Sequence, residues 1–143
     1  MMKIQKSMRF SMVRSNRFLL DTHIFIWWME ENKRLSKDIL YLLNNPQNQI
    51  FLSVASIWEM QIKLQLGKLK LAVPLQTLIE NQQQRNNVQI LAIKSAHIFA
   101  LHGLPSRHKD PFDRLLAAQT HVEQAVLLSV DPIFADYPVE VLW

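Results

Sequence analysis

The chain has 143 residues, 49% of them apolar and 20% charged, which is enough for one domain with its own core. It has no cysteine, which excludes disulfides and thiolate-bound zinc and fits a reducing compartment. The net charge of +4 is uneven: Lys3, Lys6, Arg9, Arg14 and Arg17 stand in the first 17 residues with no acid, and the remainder carries 11 basic against 12 acidic residues.

Residues 1–16 therefore read as a basic N-terminal extension, and 17–143 as the folded domain. A basic arm can grip phosphate. A loose terminus, or sequence upstream of the true start, explains it more simply, since Met1, Met2, Met8 and Met12 all offer starts. The extension has no apolar stretch long enough for a signal peptide, and no later run approaches the roughly 20 residues of a membrane span. A cytoplasmic protein with no membrane partner is expected.

A strand is expected at about 17–20, then a helix over 22–29. A second helix should cover 36–44, with Ser36 as N-cap and Asn44-Asn45-Pro46 as its stop. A short strand follows at 50–52. Ser53 or Ser56 caps the next helix, which carries Ile57, Trp58, Met60, Ile62, Leu64 and Leu66 and ends at Gly67. Pro74 opens another helix with Leu75, Leu78 and Ile79 on one face, fading in the polar stretch 81–87. A strand is expected over 88–93, a helix from Ser95 to about His102, and a loop over 103–109. The helix over 111–123 should turn Leu115, Leu116, Ala118 and Val122 inward. Residues 125–130 are the clearest strand, and 139–142 suit an edge strand after a turn. Strands alternating with helices predict a three-layer α/β/α fold around a central, mostly parallel sheet.

Acids follow the apolar runs. Asp21 follows the first strand, Glu59 lies on the helix after the second, Asp110 and Asp113 open the helix before the clearest strand, and Asp131 follows that strand. In a parallel sheet these positions gather at the carboxyl edge, where open α/β sheets bind ligands. Clustered carboxylates repel unless a cation lies between them, and their hard oxygens suit Mg²⁺ or Mn²⁺. Metal-dependent attack on phosphate is the chemistry this points to. Each acid also has a plainer role. Asp21, Asp110 and Asp131 are good N-caps, Asp113 suits a helix first turn, and Glu59 can be an ordinary solvated helix residue. Only their joint placement argues for a site.

His23 and His108 could touch phosphate, whereas His97, His102 and His121 read as structural or solvated. Trp27, Trp28 and Trp58 sit on apolar helix faces and read as core or interface rather than as base-stacking platforms. The two glycines leave no phosphate-cradling loop.

Several blocks resemble the PIN domain family, in particular its toxin branch in type II toxin–antitoxin systems. They are Phe18-Leu19-Leu20-Asp21-Thr22-His23, Ser53 through Met60 with Gly67-Lys68-Leu69, Arg107 through Gln119, Leu128-Ser129-Val130-Asp131 and Pro138 through Trp143. The resemblance covers about residues 17–143. It implies a Mg²⁺- or Mn²⁺-dependent endoribonuclease, commonly a homodimer, held inactive by a cognate antitoxin protein. By the same resemblance Asp21, Glu59, Asp113 and Asp131 are the catalytic and metal-binding acids, and Asp110 is an accessory acid. Ser129 stands where the family often has Thr and keeps the hydroxyl. Lys63, Lys68, Arg107, Lys109 and Arg114 are candidates for the RNA backbone. An inactive PIN-like module that works by binding RNA or protein is the alternative. A phosphoacceptor receiver domain fits poorly, because Ser53 stands where its acceptor Asp would follow the central strand.

Overall fold

The computed structural model describes residues 15–105 and 109–143. Most of the basic extension thus lies outside the described residues. The chain runs β1 (Arg17–Leu20), α1 (Thr22–Met29), α2 (Lys37–Asn44), β2 (Gln49–Ser53), α3 (Val54–Gln65) and α4 (Leu75–Arg85). It continues with β3 (Gln89–Leu91), α5 (Ser95–Ala100), a 3₁₀ turn (Leu101–Gly103), α6 (Pro111–Val122), β4 (Val126–Leu128), a second 3₁₀ turn (Pro132–Asp136) and β5 (Val141–Leu142).

The strands are ordered β3-β2-β1-β4-β5 and every pairing is parallel. Alternation within each strand sets the layers, because successive side chains leave opposite faces. Phe18, Leu20, Ile50, Leu52, Val126 and Leu128 point into one core, shared with Ile24 and Phe25 of α1, Ile39 of α2, Met60 of α3 and Ile79 of α4. Leu19, Phe51 and Leu127 point into the other, shared with Leu116, Ala117 and Ala118 of α6 and with Phe134 and Tyr137. The expected three layers result, with the sheet parallel throughout.

Two of the expected serine caps follow the sequence. Ser36 accepts from the Ile39 amide, and Ser53, rather than Ser56, accepts from the Ala55 amide. Gly67 follows the end of α3 at φ +71°, a left-handed conformation that favours glycine.

Four local expectations change. Helix α4 continues through the polar stretch to Arg85, because Leu75 and Ile79 anchor one face and nothing before Asn86 breaks it. The edge strand β3 is shorter than 88–93 and pairs only with β2. Ser95 is the first residue of α5 rather than its cap; the His97 ring accepts from the Lys94 amide at 3.0 Å instead. The segment after Asp131 is a 3₁₀ turn, capped by Asp131 and anchored by buried Phe134.

Ile24, Phe25 and Trp28 of α1 are buried within the chain's own core.

An ionic cluster closes the amino edge of the sheet. Buried His97 contacts Glu123 through Nε2 at 2.8 Å, and Arg17 and Lys94 approach the same carboxylate at 3.3 and 3.9 Å. It ties β1, the start of α5 and the end of α6 together. The hydrogen bond from His97 foremost, then Lys94 and Arg17, hold the Glu123 carboxyl below its ordinary 4.5 against the opposing effect of burial. A depressed acid adds stability above its unfolded value and loses it as the pH falls through its folded value. Glu123→Ala should therefore cost about 1–3 kcal/mol at pH 7, by stranding the His97 ring. In urea melts, parent and variant should converge as the pH falls below about 4.5.

Candidate active site

Strand β1 is the middle of the sheet, and the chain leaves it first toward β2 and later returns on its other side as β4. The carboxyl ends of β1 and β4 therefore flank a topological switch point, where loops diverge and leave a crevice. Asp21 is the residue after β1, and its amide donates to the Leu128 carbonyl of β4 at 2.9 Å. Ser129 is the residue after β4. Its hydroxyl donates to Asp21 Oδ2 at 2.6 Å and accepts from the Asp131 amide at 3.1 Å. One serine thus orients Asp21 and fixes the turn that carries Asp131.

Asp21 is buried. Burial raises its carboxyl pKa, and the Ser129 hydrogen bond and nearby His23 oppose the rise. Helices α3 and α6 contact each other, which brings Glu59 toward the first turn of α6. Asp113 in that turn is half-buried. Its carboxyl is pushed up to about 7 from an ordinary 3.8, first by burial and then by the charges of Asp110, Asp21, Asp131 and Glu59. All five predicted acids therefore converge on one edge. Four of them come from separate places in the chain: the ends of β1 and β4, α3 and α6.

Their individual engagements differ. Asp110 caps α6 through the Phe112 amide at 2.9 Å, and Asp131 caps its turn through the Ile133 amide at 3.1 Å. Glu59 lies 3.8 Å from Lys63 Nζ. Among the described residues no ion pair reaches Asp21 or Asp113, and no three acids or histidines lie close enough together to form a ready-made metal cage. The chemistry of the donor set nonetheless fits a divalent cation: hard carboxylate oxygens around a half-buried Asp113 whose carboxyl is raised by burial and by the neighbouring negative charges. Two buried hydroxyls, Thr22 Oγ1 and Ser56 Oγ, also lack partners among the described residues. They lie on the first turns of the helices that leave this edge.

The other candidates divide. His23 is exposed beside Asp21. Lys68 and Lys109 are exposed, but the Arg114 guanidinium is turned onto the carbonyls of Pro105 and Leu101, so it braces a loop. Arg107 and His108 lie outside the described residues. His97 is structural, as expected. Trp28 is core and Trp27 half-buried, whereas Trp58, expected in the core or an interface, is 59% exposed.

Ser129 should matter beyond its size. Ser129→Ala removes the hydroxyl that steadies Asp21, and losses of about 10–100-fold in activity or metal affinity are typical for such supports. Burial of Asp21 would then go less opposed, so the pH at which metal binds should move upward relative to the parent. Metal titrations at several pH values measure both effects.

An open parallel sheet with acids grouped at its central switch point places the chain among the three-layer α/β proteins, whose ligand crevices lie at this edge. Residues 18–140 match the PIN domain model, and the chain belongs to that family. Among curated protein sequences none matches. Solved structures with a similar fold include a chain of VapBC2 from Rickettsia felis bound to a promoter DNA fragment, at 20% identity and TM-score 0.67, covering 87% of this chain and 96% of that one. VapBC-1 from nontypeable Haemophilus influenzae is similar at 19% identity and TM-score 0.62, with 87% and 96% covered. A toxin–antitoxin complex from Klebsiella pneumoniae gives 21%, 0.60, and 87% and 95%. At these identities the likeness is one of fold.

Proposed function

We propose that this chain is the toxin of a type II toxin–antitoxin pair, a Mg²⁺- or Mn²⁺-dependent ribonuclease that hydrolyses RNA phosphodiester bonds. The observation that carries the reading is Asp113, a half-buried carboxyl driven to about 7 by burial and by acids from three other elements and its own cap. Membership of the PIN family and the fold shared with chains of toxin–antitoxin complexes support it.

In this reading Asp21 and Asp113 would hold the cation most directly, and Glu59 and Asp131 would complete the set. A divalent ion bound there supplies charge neutralisation at phosphate and a more acidic water. Ser129 keeps Asp21 in one orientation. Asp110 adds negative charge at the rim while capping α6. Lys63, Lys68 and Lys109 would meet the RNA backbone. A cognate antitoxin, a homodimer and a cytoplasmic location, where RNA is, belong to the same reading.

The inactive-module alternative draws on Asp110 and Asp131 being engaged as caps and on Glu59 being paired with Lys63. Cleavage of total RNA by the purified chain separates the two. Cleavage should need Mg²⁺ or Mn²⁺, stop with chelator and disappear in Asp21→Asn. Cellular toxicity that survives Asp21→Asn would favour the binding module.

A further inference from the structure

Two aromatic rings stand directly beside the candidate acids. Trp58 precedes Glu59 on α3, and Phe112 precedes Asp113 on α6. The fold brings these rings into edge-to-face contact, with centroids 5.2 Å apart and planes at 69°. Phe112 is half-buried, yet Trp58 keeps 59% of its surface in solvent. An apolar ring of this size gains by leaving water, so leaving it out forgoes stability. Contact with the Phe112 ring restrains its orientation and leaves the rest of the indole open.

The setting narrows what would cover them. Exposed Lys109 lies three residues before Phe112, whereas Lys63 is paired with Glu59. An exposed aromatic face at the lip of the proposed ribonuclease site suits a polyanion whose own groups carry flat π-faces. A single strand of nucleic acid is such a ligand: its phosphates meet basic side chains and a base lies on the ring. A paired base has both faces already stacked and cannot do this.

The geometry points to Trp58, braced by Phe112, as a stacking platform for one unpaired base of the RNA beside the bond to be cut. This rests on the ribonuclease reading above and adds to it the residue that takes an unpaired base. Trp58 would contribute to substrate binding and register, and not to holding metal.

The test measures binding without cleavage. In an Asp21→Asn background, fluorescence anisotropy gives the affinity for labelled oligoadenylate and oligouridylate in Mg²⁺ buffer, each intact or with one abasic residue moved along the strand. Trp58→Ala should weaken binding of the intact strands by about tenfold, the usual scale of one lost stack. Trp58→Phe should keep most of the affinity. The salt dependence should not change, because no charge is removed. One abasic position should weaken binding to the Trp58 protein and add nothing in Trp58→Ala. Equal affinities for Trp58→Ala and its parent, or an abasic penalty that persists in Trp58→Ala, overturn the stacking role and leave the ribonuclease reading standing. Failure of the Trp58 protein to bind any strand overturns both. Unchanged RNA affinity together with a weakened hold on a co-purified protein overturns the proposal in favour of a protein contact.

Discussion

Asp113→Asn is expected to abolish RNA cleavage and, in chelator, to stabilise the chain above neutral pH. The two effects share a cause. Asp113 sits half-buried among Asp110, Asp21, Asp131 and Glu59, and its carboxyl is pushed up to about 7. A raised acid favours the fold while protonated. That advantage is complete below the unfolded value of 3.8 and is lost as the pH rises through about 7. Asn never ionises, so variant and parent should be nearly alike at pH 4, and the variant should be the more stable at pH 8. Adding Mg²⁺ or Mn²⁺ should stabilise the parent at pH 8 and do much less for the variant, since only the parent offers the full charge. Activity should fall by about two orders of magnitude or more, the scale on which removed transition-state electrostatics register. Urea melts at pH 4 and pH 8, with chelator or metal, alongside RNA cleavage, measure all of it. A variant no more stable than the parent at pH 8 in chelator would mean that the acids do not repel at this edge.

Phe134→Ala should be among the most damaging single substitutions away from the acids. Phe134 is fully buried against the α6 face of the sheet, in the core with Leu19, Leu127 and Ala117, and its ring lies 6.1 Å from that of Tyr137. Removing a buried Phe ring typically costs about 3–5 kcal/mol, because the cavity left behind closes only in part. That lowers the melting temperature by something on the order of 10 °C in a domain of this size. The substitution also reaches the site. Phe134 anchors the 3₁₀ turn whose cap is Asp131, and Ser129 holds that turn to Asp21. The folded variant should therefore bind metal more weakly at 10 °C, below its melting range. Isothermal titration there separates this loss from unfolding, and Phe134→Leu should recover most of the stability.

Both predictions concern the edge where acids and core meet, and the sequence showed that edge only in part. Local patterns were legible. Apolar triplets ending in Asp21 and preceding Asp131 marked central strands, Ser36 and Gly67 marked helix ends, and Asp110-Pro111 marked the start of α6. Each depends on residues a few positions apart, and such short-range signals survive in a string of letters. Joint placement after successive strands already grouped the acids at one edge, and the resemblance of several blocks to one family assigned their individual roles.

Long-range facts had to come from the fold. Whether Glu59 faces Asp113 depends on how α3 meets α6, and no period within α3 encodes that. His97 looked like any helical histidine until Glu123, 26 residues away, closed on its Nε2. Trp58 and Trp28 carry the same letter, yet one stays in water and the other is buried, because burial is decided by what packs across the gap. Arg114 was read as a hand for RNA and proved to brace the loop before its own helix. The sequence by itself located β1 and β4, most of the helix caps and the kind of chemistry its acids could support. Only the tertiary structure decided which side chains share an environment, because burial and mutual charge depend on distance in space rather than along the chain.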